Sequence, residues 1–284
     1  MQRCRSVRVG SWEVGASPFV VIAGPCSIES EKQWEVSARM AYKAGAVMLR
    51  GGINKLRTHP DSFQGLGRDA IPIIKNVLKH VPLPFVSEVT DPRELDWMAE
   101  VVDVFQVGTR NMYNYALLKE LSKLSKPVIL KRAFSATIEE WIHASEYLVR
   151  GGNTNIILCE RGIRTFEKAM RNTLDLSAVA YVKQSTQFPV LVDPSHATGL
   201  SELVEPMSLA AAAAGADGLL IECHPNPKVA FSDARQAIDF ESLESLMDRL
   251  EKVLNAMGRE LARPKVDLVD RIGVLRHEKP ANYS

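Results

Sequence analysis

Leu191-Val192-Asp193-Pro194-Ser195-His196-Ala197-Thr198 runs from a short apolar strand into a carboxylate, a proline turn and a histidine. The same pattern recurs along the chain, at Ala23-Gly24-Pro25-Cys26, Leu49-Arg50, Leu130-Lys131-Arg132, Cys159-Glu160-Arg161 and Ile221-Glu222. Apolar strands that repeatedly end in chemically able side chains describe a site built at the carboxyl ends of a parallel sheet.

Between these strands lie amphipathic segments. Phe19–Ala23 is followed by Ser30-Glu31-Lys32-Gln33, a helix start of the capping-box kind. Val47–Arg50 leads through a long polar loop to a helix ending near Lys79, and Pro84–Glu88 leads to a helix opened by Asp91-Pro92 with an apolar stripe of Leu95, Met98, Ala99 and Val102. Val104–Val107, Pro127–Lys131, Asn155–Cys159, Pro189–Asp193 and Gly218–Glu222 complete the strands, each with its helix; the last helix carries Leu243, Leu246, Met247, Leu250 and Leu254. Strands that are apolar throughout, alternating with helices, imply parallel pairing. Eight such units in 284 residues predict an α/β protein with a closed (β/α)8 TIM barrel, which needs roughly 250 residues; a doubly wound open sheet is the alternative. Val7–Val14 alternates about a Gly-Ser turn and reads as a small N-terminal β-hairpin outside the main fold. The expected division is an extension with hairpin over 1–18, a catalytic barrel over 19–261 and a charged tail over 262–284. With so short a segment before Phe19, no appended regulatory domain is expected.

Composition narrows the function. The apolar share is 46%, enough for a large core, and 35 Lys+Arg against 34 Asp+Glu leave a net charge of +1. Bulk charge therefore selects neither nucleic acid nor a membrane surface. No apolar run approaches a spanning helix, and no signal-peptide core follows the basic start. Four scattered cysteines (Cys4, Cys26, Cys159 and Cys223) with no Cys-x-x-Cys pair point to a reducing, cytoplasmic setting. Gly65-Leu66-Gly67 lacks the third glycine of a dinucleotide fingerprint. Asn282-Tyr283-Ser284 formally fits a glycosylation sequon but carries no weight in such a setting.

Cys26, His196 and Glu222 lie at or just beyond strand ends, and Asp233 follows the eighth strand. By itself Cys26 reads as a small buried hydrophobe, and His224 competes with its neighbour Glu222. Together the four offer a thiolate, an imidazole and two carboxylates, a set suited to Mn²⁺, Fe²⁺, Co²⁺ or Zn²⁺ and poorly to Mg²⁺. Arg50, Lys55, Arg57, Arg110, Lys131, Arg132, Arg161 and Arg164 supply cations at or near the same ends. Converging cations imply one multiply charged anionic substrate or two anionic ones, with phosphate and carboxylate groups. Strand alternation turns Arg132 away from Lys131. Gly51-Gly52-Ile53-Asn54-Lys55-Leu56-Arg57-Thr58 reads as a phosphate cradle without the Gly-Lys-Ser/Thr of a P-loop.

These motifs, with Ser62-Phe63-Gln64-Gly65-Leu66-Gly67, Arg110-Asn111, Glu160-Arg161-Gly162-Ile163-Arg164-Thr165-Phe166 and Glu222-Cys223-His224-Pro225, resemble the type I 3-deoxy-D-arabino-heptulosonate 7-phosphate (DAHP) synthases, in their short, unregulated branch. The resemblance runs in order from about Val7 to Gly258. It implies a (β/α)8 barrel, a divalent metal, and condensation of phosphoenolpyruvate with erythrose 4-phosphate, the first step of the shikimate pathway to aromatic amino acids. It implies Cys26, His196, Glu222 and Asp233 as metal ligands, and Arg50, Arg110, Lys131 and Arg161 for phosphoenolpyruvate. Lys55, Arg57, Thr58 and Asp193 would serve the aldose phosphate, or Asp193 would brace its own turn. Lys131 is the expected proton donor and Glu160 the expected water-positioning base. A homo-oligomer, dimer or tetramer, is expected. Leu56, Thr109, Ala133 and Ala234 stand where the family usually has Pro, Ala, Gly and Gly. They leave open another aldose, arabinose 5-phosphate or a secondary-metabolic acceptor, and, as a different class, a silent metabolite-binding barrel.

Overall fold

The computed structural model describes residues 5–264. Cys4, most of the expected tail and the sequon fall outside them. A hairpin of β1 (Val7–Val9) and β2 (Trp12–Val14) comes first, antiparallel, with Val7 opposite Val14. Then follow β3 (Pro18–Gly24), α1 (Glu31–Ala44), β4 (Met48–Arg50), α2 (Ala70–His80), β5 (Phe85–Val89), α3 (Leu95–Met98), β6 (Val104–Val107), α4 (Tyr115–Leu121), β7 (Val128–Lys131) and α5 (Ile138–Arg150). The second half is β8 (Ile156–Glu160), α6 (Leu176–Ser185), β9 (Val190–Val192), α7 (Pro194–Thr198), α8 (Val204–Ala213), β10 (Gly218–Glu222), α9 (Phe240–Ala256) and β11 (Glu260–Leu261). Strands β3 to β10 pair in sequence order, all parallel, and β10 returns to β3 over Gly218↔Val20 to Glu222↔Gly24. The sheet is thus closed, and the open-sheet alternative is excluded.

The pleat decides what each residue faces. Val20, Ile22, Met48, Val86, Val104, Ile129, Ile157, Cys159, Leu191 and Leu220 form one buried cluster, the barrel interior. Their neighbours Val21, Leu49, Phe85, Phe105, Leu130, Leu158, Val192 and Leu219 belong to a second cluster with the helices. Two residues further along seven of the eight rows, the inward positions become polar: Arg50, Glu88, Gln106, Lys131, Arg161, Asp193 and Glu222; the row of β3 reaches Gly24. The interior core and the candidate site are successive layers of the same inward rows.

The hairpin differs from expectation. Val7, Val9 and Val14 are at most 3% exposed and pack into the barrel-interior cluster. It seals the barrel rather than lying outside it. Helix α3 is also shorter than expected. Asp91 and Glu94 form a capping box around a tight 3₁₀ turn, and only one turn of α-helix follows. At the start of α1, Ser30 accepts from Gln33 N, while Gln33 Oε1 accepts from Glu29 N, so only half of the expected box forms. Among the described residues no helix is long and apolar enough to cross a membrane.

Candidate active site

The carboxyl ends of the strands surround a cavity of about 300 Å³. Its cationic lining is Arg50, Lys55, Arg57, Arg110, Lys131, Arg161 and Arg171, against the carboxylates Glu88 and Asp233. Two glycines allow the crowding. A Cβ on Gly24, whose φ is +153°, would lie 2.1 Å from the Arg50 carbonyl oxygen, and one on Gly108 would lie 1.8 Å from Glu88 Oε1.

On one side of the cavity, ligand atoms of Cys26, His196, Glu222 and Asp233 all lie within 4.8 Å of one another. Cys26 Sγ is 3.1 Å from Asp233 Oδ2, and His196 Nε2 is 3.2 Å from Glu222 Oε2 and 3.7 Å from Asp233 Oδ2. Glu222 Oε1 is buried without a hydrogen-bond partner among the described residues. Such separations suit donors sharing one ion at roughly 2.0–2.3 Å, and an orphaned buried carboxylate oxygen asks for a cation. The residues fit a divalent metal.

The surroundings tune the donors. His196 Nδ1 lies 2.9 Å from Asp193 Oδ2, so the carboxylate favours the ring proton on Nδ1 and the Nε2 lone pair faces the cluster. Burial pushes the His196 pKa down to about 3, against the pull of Asp193, so the imidazole is neutral. Burial, Glu222 and Asp233 push the Cys26 thiol up to about 12; burial and Asp233, opposed by Arg50, push Glu222 up to about 7. A bound cation would reverse both shifts. Asp233 carries the only positive φ, +54°, among described non-glycine residues. Asp tolerates that conformation, so Ala234 needs none of a glycine's freedom. Its loop is pinned by Ser232 Oγ, 2.9 Å from Ser27 Oγ, and by Phe231 N, which donates to Glu29 Oε1 at 2.8 Å. His224 turns away from the cluster towards Glu29, 3.5 Å off, and its Nδ1 accepts from Asn226 N.

Several residues take other places than expected. Glu160 points outward, as its register dictates. It accepts from Arg132 Nη1 at 3.0 Å and Gly162 N at 2.6 Å and is absent from the cavity wall, so it braces the barrel and positions no water. Arg132 points outward with it and also bonds Asp175. Asp193 points inward but is fully buried below the cavity, taken up by Lys131 Nζ at 2.5 Å and by His196 N and Nδ1. It braces the turn and does not contact an aldose. Lys55 reaches the donor cluster, its Nζ 2.8 Å from Cys26 Sγ, while Arg57 and Thr58 line the cavity beyond it.

Sequence reasoning passed over Glu88, Gln106, Phe134, Arg171 and Gln236. Glu88 does end a strand, and that signal was available. Gln236 donates to Glu222 Oε2 at 2.8 Å, and its own oxygen accepts from Arg171 Nη1 at 2.8 Å; Arg171 also reaches Asp233 Oδ1 at 3.3 Å. Nothing in the local sequence announces that contact.

Comparison with known proteins agrees with this geometry. Residues 11–258 match the DAHP synthetase I family. Phospho-2-dehydro-3-deoxyheptonate aldolase of Thermotoga maritima is 44% identical over 252 residues, covering 89% of this chain and 75% of that one. The solved truncated form of the T. maritima 3-deoxy-D-arabino-heptulosonate 7-phosphate synthase superposes with a TM-score of 0.85 at 40% identity, covering 91% of this chain and 95% of that one. A 2-dehydro-3-deoxyphosphooctonate aldolase of Acidithiobacillus ferrooxidans is 29% identical over 269 residues, 87% of this chain and 94% of that one. Barrel, donor cluster, cationic cavity and these likenesses agree: the chain belongs to the DAHP synthetase I family.

Proposed function

We propose that residues 19–261 form a catalytic barrel that condenses phosphoenolpyruvate with erythrose 4-phosphate, giving DAHP and inorganic phosphate. The observation that carries this reading is the cavity itself. Seven Lys and Arg side chains share the cavity with Glu88, directly beside a Cys-His-Glu-Asp donor cluster. That arrangement suits two phosphorylated substrates and one Lewis acid.

Arg50, Arg110, Lys131 and Arg161 would hold the phosphate and carboxylate of phosphoenolpyruvate. Arg57 and Thr58 would face the aldose phosphate, and Lys55 bridges towards Cys26. A divalent ion held by Cys26, His196, Glu222 and Asp233 would polarise the aldehyde oxygen or acidify a water; the thiolate favours Mn, Fe, Co or Zn over Mg. The two substrates held side by side let C3 of phosphoenolpyruvate form a bond to the aldehyde carbon, whose oxygen takes up a proton. Lys131, its ammonium anchored by Asp193, is placed to give that proton. Cationic character at C2 is quenched by water. Glu88, the carboxylate in the cavity wall beside Gly108, is placed to take the water's proton. The phosphohemiketal then collapses: its C2 hydroxyl loses its proton and becomes the keto oxygen as the C2–O bond to the phosphate group breaks, and phosphate leaves carrying that proton.

A cytoplasmic location is our reading of the free thiols at Cys26, Cys159 and Cys223, and a dimer or tetramer is proposed from the family alone. Phosphate release from phosphoenolpyruvate, with added Mn²⁺ and a panel of aldose phosphates, tests the reaction. Release is expected with erythrose 4-phosphate. Release with arabinose 5-phosphate alone would reassign the acceptor, and release with none would leave a metabolite-binding barrel.

A further inference from the structure

Three guanidinium groups crowd one phenyl ring. Arg164 Cζ lies 4.7 Å from the Phe134 ring centroid, Arg161 Cζ 4.8 Å and Arg110 Cζ 5.8 Å. None of the three forms an ion pair with a carboxylate among the described residues. Arg161 is 2% exposed, and burial lowers its pKa to about 10. Its Nη2 donates to the His196 carbonyl at 2.9 Å and its Nη1 to the Gly162 carbonyl at 3.3 Å, which fixes the plane of its fork. Phe134 also holds Arg164 through the backbone, its carbonyl accepting from Arg164 N at 2.7 Å. Phe134, Arg110 and Arg161 line the cavity; Arg164 is exposed beside it.

Like charges this close repel, and the usual remedy, a carboxylate between them, would neutralise an anion site. An aromatic ring is the alternative. Its negative face attracts a guanidinium without satisfying its N–H groups, which stay free for an anion. We propose that Phe134 is a positioning residue that gathers Arg110, Arg161 and Arg164 into one preorganised anion subsite, with Arg164 an unassigned member of it. The proposal rests on the reading that Arg110 and Arg161 hold phosphoenolpyruvate. Phe134 itself makes no bond to the reacting atoms; it acts through the arginines.

The test uses the full chain loaded with Mn²⁺, with phosphoenolpyruvate and erythrose 4-phosphate varied separately. Phe134→Leu keeps apolar bulk and removes the ring. The expected result is a rise of about tenfold in KM for phosphoenolpyruvate, about 1.4 kcal/mol, with kcat within about twofold and KM for the aldose unchanged. Phe134→Tyr should restore KM. Arg164→Gln, at an exposed position that leaves the core intact, should raise the same KM by about threefold. An unchanged KM in Phe134→Leu, equal losses in the Leu and Tyr variants, or an Arg164→Gln variant indistinguishable from the parent would overturn the proposal. If the parent protein releases no phosphate with any aldose, the functional reading fails instead. Calorimetric binding of phosphoenolpyruvate to parent and Phe134→Leu protein then decides the platform on its own: weaker binding by the variant supports it, equal binding overturns it.

Discussion

Glu88 and Glu160 both end strands, yet the pleat sends them to opposite sides of the sheet. Glu88 lies two residues beyond inward Val86; Glu160 lies one beyond inward Cys159. Their substitutions should therefore differ in kind. Glu88→Gln should lower kcat by on the order of 10²- to 10⁴-fold, the usual worth of a proton-transfer group, and leave the melting temperature unchanged. Glu160→Gln should leave kcat of the folded protein nearly intact and cost about 3 kcal/mol of stability, because buried Arg132 loses its one fully buried carboxylate partner and keeps only the half-buried Asp175. Steady-state kinetics and thermal melts on both variants separate the two. Gln236 makes a third case. Its amide joins Glu222 to Arg171, so Gln236→Ala should weaken metal affinity by about 10- to 100-fold without removing a ligand, as read by chelator competition. In the sequence, the alternation rule already turned Arg132 away from Lys131. Applied one strand later, it would have turned Glu160 away from Arg161. Gln236 was illegible for another reason: a loop glutamine becomes a partner of Glu222 only once Asp233's left-handed turn aims it back at the barrel.

At the level of elements, close approach explains two glycines and the hairpin explains itself. Gly108 leaves room for Glu88, the far end of a flexible side chain. Gly108→Ala should therefore displace that carboxylate and depress kcat much as Glu88→Gln does, with little change in the melting temperature. The β1–β2 hairpin shows the opposite signature. Val14 is fully buried against the barrel interior, far down the inward rows from the polar layer. Val14→Ala should cost about 2 kcal/mol of stability and leave KM for both substrates unchanged. The alternation of Val7, Val9 and Val14 made the hairpin legible, but a two-residue period says only that one face is buried, not against what. The helix after Asp91 is shorter than its apolar stripe suggests because Ala99 and Val102 continue the spacing of Leu95 and Met98. Ala99 and Val102 pack with the core without being helical.

Across the whole molecule, charge is nearly balanced, yet the mouth of the barrel is strongly cationic. Closure of the barrel accomplishes that segregation, bringing strand ends that are far apart in sequence to one opening. Eight strand–helix units announced the closed fold from sequence alone, and the donor types at their ends announced a metal and anions. Which cation meets which anion was not legible, because it depends on depth. Lys55 lies at Cys26, while Arg57, two residues on, does not. Long-range attraction of anionic substrates should make KM for phosphoenolpyruvate rise with ionic strength while kcat stays level.

The proposed condensation depends on an ion held by Cys26, His196, Glu222 and Asp233. Its most direct test is phosphate release from phosphoenolpyruvate and erythrose 4-phosphate by chelator-stripped protein titrated with Mn²⁺, in parallel with Cys26→Ala. Stripped protein should release no phosphate, activity should be full at one Mn²⁺ per chain, and the variant should neither bind Mn²⁺ nor release phosphate. Undiminished release from stripped protein, or a Cys26→Ala variant as active as its parent, would contradict it.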